Sequence, residues 1–296
     1  MKADNGLTIR RMVKLGGISR AGFYRSDGDG EPAAEPKRDM DLRDAVQKIA
    51  LEWPAYGRPR ITAELRRQGW KVNPKRVQRI MREDNLLCVR KRKFVVTTDS
   101  NHGRKVYPNL APELTLTGVN QLWRADITYI RLKEEFVYLA VILDAYSRRV
   151  IGWALDRTME DELTLTALQM ALEQRKPGPG LVHHSDRGSQ YASNDYTDLL
   201  KDCGVKISMS RKGNPWDNAG CESFMKTLKY EEVLRQDYRD LAEAKRSIAR
   251  FLEQVYNEKR LHSALGYCPP AEFESSLPKL NPQLLEKNEG PLNAFS

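Results

Sequence analysis

The chain has 296 residues, 40% of them hydrophobic and 30% charged, with a net charge of +9. That length allows two domains and at least one well-filled core, and the composition is that of a soluble globular protein. No apolar run reaches the ~18 residues of a membrane span, and the N-terminus lacks the apolar stretch of a signal peptide, so no membrane partner is expected.

The charge is uneven. Residues 1–115 carry 25 Lys and Arg against 14 Asp and Glu, whereas the remainder carries 24 against 26. A basic front section on a near-neutral body is the footprint of a polyanion binder. The four cysteines (88, 203, 221, 268) form no C-x-x-C pair, and the four histidines (102, 183, 184, 262) fall outside zinc spacing. Zinc ribbons and disulfide frameworks are therefore not expected, and a reducing, cytoplasmic compartment fits.

Residues 8–26 read as two short helices around Gly16-Gly17, and 27–36 as a linker. A helix is predicted at about 40–53, with Leu42, Ala45, Val46, Ile49 and Leu51 as its apolar members. A helix–turn–helix pattern follows. Ile61 or Thr62 opens its first helix, which stops at Gly69, and Asn73 caps the second, with Pro74 at its first position. Val77, Ile80 and Met81 face inward there, leaving Lys75, Arg76, Arg79 and Arg82 for a DNA groove and its phosphates. "VRKRKF" (89–94) adds Arg90, Lys91 and Arg92 just behind. A small bundle with a solvated basic face is the plainer alternative.

From residue 121 the texture changes. Strands are predicted at 122–130, 136–147, 148–156, 181–186 and 205–210, and helices at about 160–174, 189–204 and 240–258, with another after the loop that follows residue 210. Three sequential strands, then helix, strand, helix, strand, helix is the order of an RNase H-like α/β fold. The domains expected are 1–36, a helix–turn–helix-like segment and linker; 37–85, an all-helical DNA-binding domain; 86–117, a basic linker; 118–275, the RNase H-like core; and 276–296, a tail.

Metal-assisted phosphoryl chemistry needs carboxylates on rigid elements that converge on one spot, and Mg2+ prefers carboxylate and water oxygen. Asp126 sits inside the first strand, where Asp is a poor strand former, on the face of Arg124 and Thr128. Asp186 lies just past a short buried strand, where open sheets place their sites. Glu222 lies in the first turns of a helix that Asp217 or Asn218 could cap, and 35 residues separate it from Asp186.

Those acids and their spacing carry a resemblance. "WRADITYI", "DAYSRRVIGWAL", "LVHHSDRGSQYAS", "GNPWDNAGCESFMKTLKYE" and "YNEKRLHSALGYCPPAEF", with "YGRPRITAELRRQGW" ahead of them, resemble the second reading-frame product (OrfB) of the insertion-sequence three group. These are DDE transposases of the retroviral integrase superfamily, and the likeness runs from about residue 40 to 275. It implies an integrase-type catalytic core, with Asp126, Asp186 and Glu222 as catalytic residues and ligands of two Mg2+ or Mn2+ ions. It implies strand cleavage and strand transfer on double-stranded DNA, through a bridged figure-eight and an excised circle, by at least a dimer on DNA. Lys229, seven residues past Glu222 and on one stripe with Lys226, is implied to contact terminal DNA. Arg187 and Asn218, with His184 and Ser185, are expected around the acids, and Trp216 on the DNA side. Asp144 ends a strand in one of these words but is given no metal role.

Family members usually act as a frameshifted fusion to a first frame that carries a helix–turn–helix and a leucine zipper. This sequence has no sustained heptad, so either residues 8–26 replace part of that function or this is the second frame alone, with a first-frame product as a further partner. The zinc domain of the retroviral relatives is not expected, since no His precedes His102. The rival readings are a DNA-binding module that does no chemistry and a plain nuclease of the same fold.

Overall fold

The computed structural model describes residues 37–87, 104–211 and 214–277. The predicted helices at 8–26, the basic cluster Arg90, Lys91 and Arg92, and most of the 276–296 tail lie outside the described residues.

The front domain is three helices: α1 (Lys37–Glu52), α2 (Arg58–Arg67) and α3 (Pro74–Glu83). Leu42, Val46, Ile49, Ile61, Leu65, Val77, Ile80 and Met81 close its core. Asn73 caps α3 as predicted, its side chain accepting from the Lys75 N–H, with Pro74 in the first turn. Two expectations are corrected. Helix α2 opens three or four residues earlier than predicted, at Arg58 with Pro59 in its first turn, because Pro is pre-shaped for that position; Ile61 and Thr62 are buried inside the helix. Leu51 is 74% exposed, and Ala50 takes its place in the core, since Leu51 falls about 200° around the helix from Ile49. Arg43 ties α1 to Glu83 and Asp84 at the end of α3.

The body is a five-stranded sheet of order β3-β2-β1-β4-β5: β1 (Leu122–Arg131), β2 (Phe136–Asp144), β3 (Val150–Asp156), β4 (Val182–Ser185) and β5 (Lys206–Met209). β1, β2 and β3 pair antiparallel, and β4 and β5 run parallel to β1. This is the predicted RNase H-like arrangement. Alternation along β1 decides the layers. Trp123 and Ala125 face α4 (Asp161–Arg175) and α5 (Asn194–Asp202). On the other face, Ile130 and the inward residues of β2 and β3 meet α6 (Ala219–Glu231), α7 (Leu241–Arg250) and the π turn Phe251–Tyr256. Helix α5 starts five residues later than predicted, because Ser193 is extended and caps it. No described helix is long and apolar enough to cross a membrane.

The two domains touch through the end of the chain. Leu261 is buried in the core of the helical domain, and Arg67 forks onto Glu272 of α8 (Pro270–Ser276) at 2.9 and 2.6 Å.

Candidate active site

Strands β1 and β4 are neighbours, and their parallel pairing runs from Leu122–Val182 to Arg124–His184. Two residues further along each strand stand Asp126 and Asp186. Adjacent strands lie about 4.8 Å apart, so the pairing delivers two carboxylates side by side where the sheet opens. The Ile127 N–H donates to Asp126 Oδ1 at 3.0 Å, and the Gly188 N–H to Asp186 Oδ1 at 2.9 Å. A Cβ at Gly188 would stand 3.0 Å from that Oδ1, a tight contact that glycine relieves.

The electrostatics are unfavourable to the bare pair. Burial, then the charge of Asp186, pushes the Asp126 carboxyl up to about 7; Glu222 adds to the rise, while the Ile127 hydrogen bond and Lys229 oppose it. The surroundings hold no competing soft donor. His184 uses both ring nitrogens, on the Ser208 hydroxyl at 2.8 Å and the Ser210 hydroxyl at 3.0 Å. Burial holds it neutral, down at about 4. Cys221 is fully buried, with its thiol on the Arg124 carbonyl at 3.5 Å. An oxygen-only pair of acids whose Asp126 carboxyl still stands at about 7 despite Lys229 fits Mg2+ or Mn2+.

Glu222 stands apart from this pair. It occupies the first turn of α6 with its side chain half exposed, 2.8 Å from Lys226 Nζ. Among the described residues no three His, Cys, Asp or Glu side chains are gathered closely enough to hold one ion. Lys229, on the same stripe, leans the other way. Its Nζ lies 4.6 Å from the centre of the Tyr129 ring, and burial lowers its pKa while Asp126 draws it back up.

The remaining predicted residues frame the start of α6. Asn218 sends Nδ2 to the Ala125 carbonyl at 3.0 Å, beside Asp126, and its Oδ1 is buried without a hydrogen-bond partner among the described residues. Asn218 therefore pins the helix start to β1 through its side chain and makes no side-chain cap. Nor does Asp217 cap the helix. It is buried and takes three bonds from Arg211, at 2.8, 3.0 and 2.9 Å, which hold its carboxyl down at about 2. Arg187 gives Nε to the Ser210 carbonyl at 2.7 Å, tying the end of β4 to the end of β5. Ser185 is buried in β4, its hydroxyl on the Asp186 carbonyl at 3.0 Å. Trp216 is in the turn Pro215–Asn218, and its side chain lies outside the described residues. In the front domain Lys75 and Arg79 are exposed on α3, Arg76 is half-buried, and Arg79 is 3.7 Å from Glu83.

Asp144 has both oxygens engaged by backbone N–H groups. It accepts from the backbone N–H groups of Asn120 at 2.6 Å, Tyr146 at 2.9 Å and Ser147 at 3.0 Å, and so shapes the β2–β3 turn. Sequence reasoning missed Arg124. Its guanidinium is lowered by burial and donates to the Asp217 carbonyl at 2.6 Å, holding the loop before Glu222 against β1. The signal was there: alternation puts this cation on the Asp126 face. A groove of about 540 Å3 opens beside Asp186, lined by Thr128, Tyr129, Phe136, Tyr138 and Met159 among others.

An RNase H-like sheet with one acid inside its central strand and another just past the neighbouring strand, joined to a helix–turn–helix domain, defines the integrase-core class. Residues 117–215 and 203–270 match integrase core domain families, and residues 37–94 an HTH-like domain. The chain is 40% identical over 264 residues to the insertion element IS600 uncharacterized 31 kDa protein of Shigella sonnei, covering 88% of this chain and 97% of that protein. It is 40% identical over 271 residues to transposase InsF for insertion sequence IS3A of Escherichia coli (strain K12), covering 90% and 94%. The chain belongs to the insertion-sequence transposases, in the insertion-sequence three group. Among solved structures, a simian T-cell lymphotropic virus intasome in complex with PP2A regulatory subunit B56 gamma matches at TM-score 0.47 and 14% identity, over 80% of this chain and 76% of that one. The HTLV-2 integrase catalytic core domain in complex with magnesium matches at TM-score 0.41 and 16% identity, over 53% and 98%.

Proposed function

We propose that the chain cuts the ends of its insertion element and joins the freed 3′-OH to DNA, with Asp126, Asp186 and Glu222 as the catalytic acids. The observation that carries this is the pairing of β1 with β4, which sets Asp126 within β1 against Asp186 just past β4, with the Asp126 carboxyl forced up to about 7 by burial and by its neighbour. Asp126 and Asp186 would hold two divalent ions, Mg2+ or Mn2+, together with Glu222 once the DNA end is seated. Such ions, when bound, activate the attacking oxygen and stabilise the leaving one.

The chain's own residues do the rest. Strands β1 and β4 fix the two acids, so no reorganisation is needed when the scissile phosphate arrives. Lys229 neutralises phosphate charge on the Asp126 side, and the groove beside Asp186 gives the strand room. Asn218 and Arg124 hold the start of α6 to β1, which keeps Glu222 within reach. Helix α3 presents Lys75, Arg76 and Arg79 to the phosphates of the duplex. Attack comes first from water and then from the freed 3′-OH, with no covalent link between protein and DNA. The first transfer goes to the same strand at the other element end, giving a figure-eight and then a circle. Two ends must meet, so the working unit is at least a dimer, with a first-frame product as a further partner.

Labelled element ends with Mg2+ test this. Joined products are expected, and Glu222→Gln should abolish both steps while DNA binding is kept. Hydrolysis without joining would make the protein a nuclease, and bound but unchanged DNA a binding module. A fully active Glu222→Gln would remove Glu222 from the site.

A further inference from the structure

The helical domain and the helix that carries Glu222 meet at one dipeptide. Arg260 is buried and forks onto Glu231, Nε to Oε2 at 2.7 Å and Nη2 to Oε1 at 2.7 Å. Glu231 is the last residue of α6, nine residues or about 14 Å along a rigid helix from Glu222. The next residue, Leu261, is held by the other domain. Its N–H donates to the Tyr56 hydroxyl at 2.8 Å, its carbonyl accepts from Arg60 Nε at 3.0 Å, and its side chain is in the helical domain's core. Arg67 and Glu272 make a second, exposed tie, from the helical domain to α8 of the body.

This arrangement leaves little slack. Consecutive Cα atoms are about 3.8 Å apart, so the grip on Leu261 and the fork on Glu231 move together. A buried ion pair contributes little stability over a well-packed apolar pair, but a bidentate fork fixes distance and direction. Breaking it strands two buried charges, so displacement of the helical domain is passed to the end of α6. At the other end of that helix, the Glu222 side chain is half exposed and held by an exposed pair with Lys226, and such pairs are weak.

We propose that Arg260 is a positioning residue that couples the helical domain's hold on DNA to the placement of α6, so that Glu222 joins Asp126 and Asp186 when that domain is engaged. This rests on the three acids being the catalytic set, and adds that the DNA-binding domain governs one of them.

Hydrogen exchange on the full chain, with and without an element-end duplex in EDTA, tests the coupling. In the wild type, DNA should slow exchange in both 58–83 and 219–231. Tyr56→Phe removes only the hydroxyl that accepts from Leu261. It should keep the protection of 58–83, lose at least half of that in 219–231, and lower kcat for end cleavage about tenfold at unchanged KM. The exposed double variant Arg67→Ala/Glu272→Ala should act in the same direction, and it decides the matter if Tyr56→Phe does not fold. Arg260→Lys, which keeps the charge but loses the fork, should also lose kcat, and the swap Arg260→Glu/Glu231→Arg should restore part of it. A folded Tyr56→Phe with wild-type protection of 219–231 and wild-type kcat overturns the proposal. So does a wild type that cuts DNA without protection at 58–83. A wild type that neither binds nor cuts element ends would instead sink the functional reading itself.

Discussion

Asp126→Asn should stabilise the metal-free protein, by an amount that grows with pH. The Asp126 carboxyl titrates at about 7 in the folded chain against an ordinary 3.8. Between those values the folded state holds a proton that the unfolded state has lost, so stability falls as pH rises through this window. Three pH units at ~1.4 kcal/mol each set a ceiling of ~4 kcal/mol above pH 7; solvent relaxation around a partly open group brings this to ~2–4 kcal/mol. Asn is neutral throughout and can still accept the Ile127 N–H.

The measurement is thermal unfolding in EDTA at pH 4.5 and pH 8. At pH 4.5, only about 0.7 pH units into that window, the variant should melt just about 2 °C higher. At pH 8 the variant should melt about 4–8 °C higher, at about 2 °C per kcal/mol for a chain of this length. Comparing the two proteins matters because His183, His184 and His262 are held neutral by burial, at about 3, 4 and 3. Their folded values are depressed, so they contribute stability above pH 6.5 that is lost as pH falls. That trend is opposite in sign and common to both proteins. Added Mg2+ should then narrow the gap at pH 8, since an ion that binds only the folded wild type stabilises it. A gain equal at both pH values, or a wild type that outlasts the variant at pH 8 in EDTA, refutes the electrostatic account of the site.

Gly152→Ala should destabilise by ~1–3 kcal/mol or more in urea titration, because its Cβ would fall on the Ala167 carbonyl oxygen and 2.9 Å from Ala171 Cβ, prising β3 from α4. Asp144→Ala leaves three backbone N–H groups without their acceptor and should cost ~3 kcal/mol or more, with element-end affinity in a gel-shift assay unchanged. Lys226→Ala removes an exposed pair, so its melting point should stay within about 1 °C of wild type, or ~0.5 kcal/mol. Lys229→Ala should lower end cleavage at least tenfold in the same assay, against a few-fold for Lys226→Ala.

The sheet was legible because its strands obey alternation. Trp123 and Ala125 against Arg124 and Asp126 in β1 set which face carries the acids, before any partner strand is known. Asp186 was legible as an acid just past a buried run. The register that places it beside Asp126 was not, because parallel pairing between β1 and β4 is decided by side chains some 60 residues apart. Asp217 shows the limit at a helix start. An acid there reads as a cap, but Arg211 six residues earlier makes the stronger, bidentate claim on it. Cys221 had no sequence rationale; in the structure it is a small core residue that lets α6 lie against the Arg124 carbonyl. Nothing local could have announced that Leu261 belongs to the core of a domain some 200 residues earlier.

The placement of Glu222 on a helix rather than a strand follows from the same electrostatics. Burial and the neighbouring Asp186 already hold Asp126 at about 7 without an ion. A third fixed there by the sheet would raise the cost of the bare state further, since each added like charge disfavours ionisation of the others. Glu222, half exposed and paired with Lys226, leaves that charge in water until a counter-charge arrives. As the proposed third acid, Glu222 is carried on a helix, whereas an acid built into the sheet would have to be tolerated throughout folding. On the proposed assignment the bare pair is spared a third charge, and the helix that would bring it is the element tied, through Glu231 and Arg260, to the domain that grips Leu261.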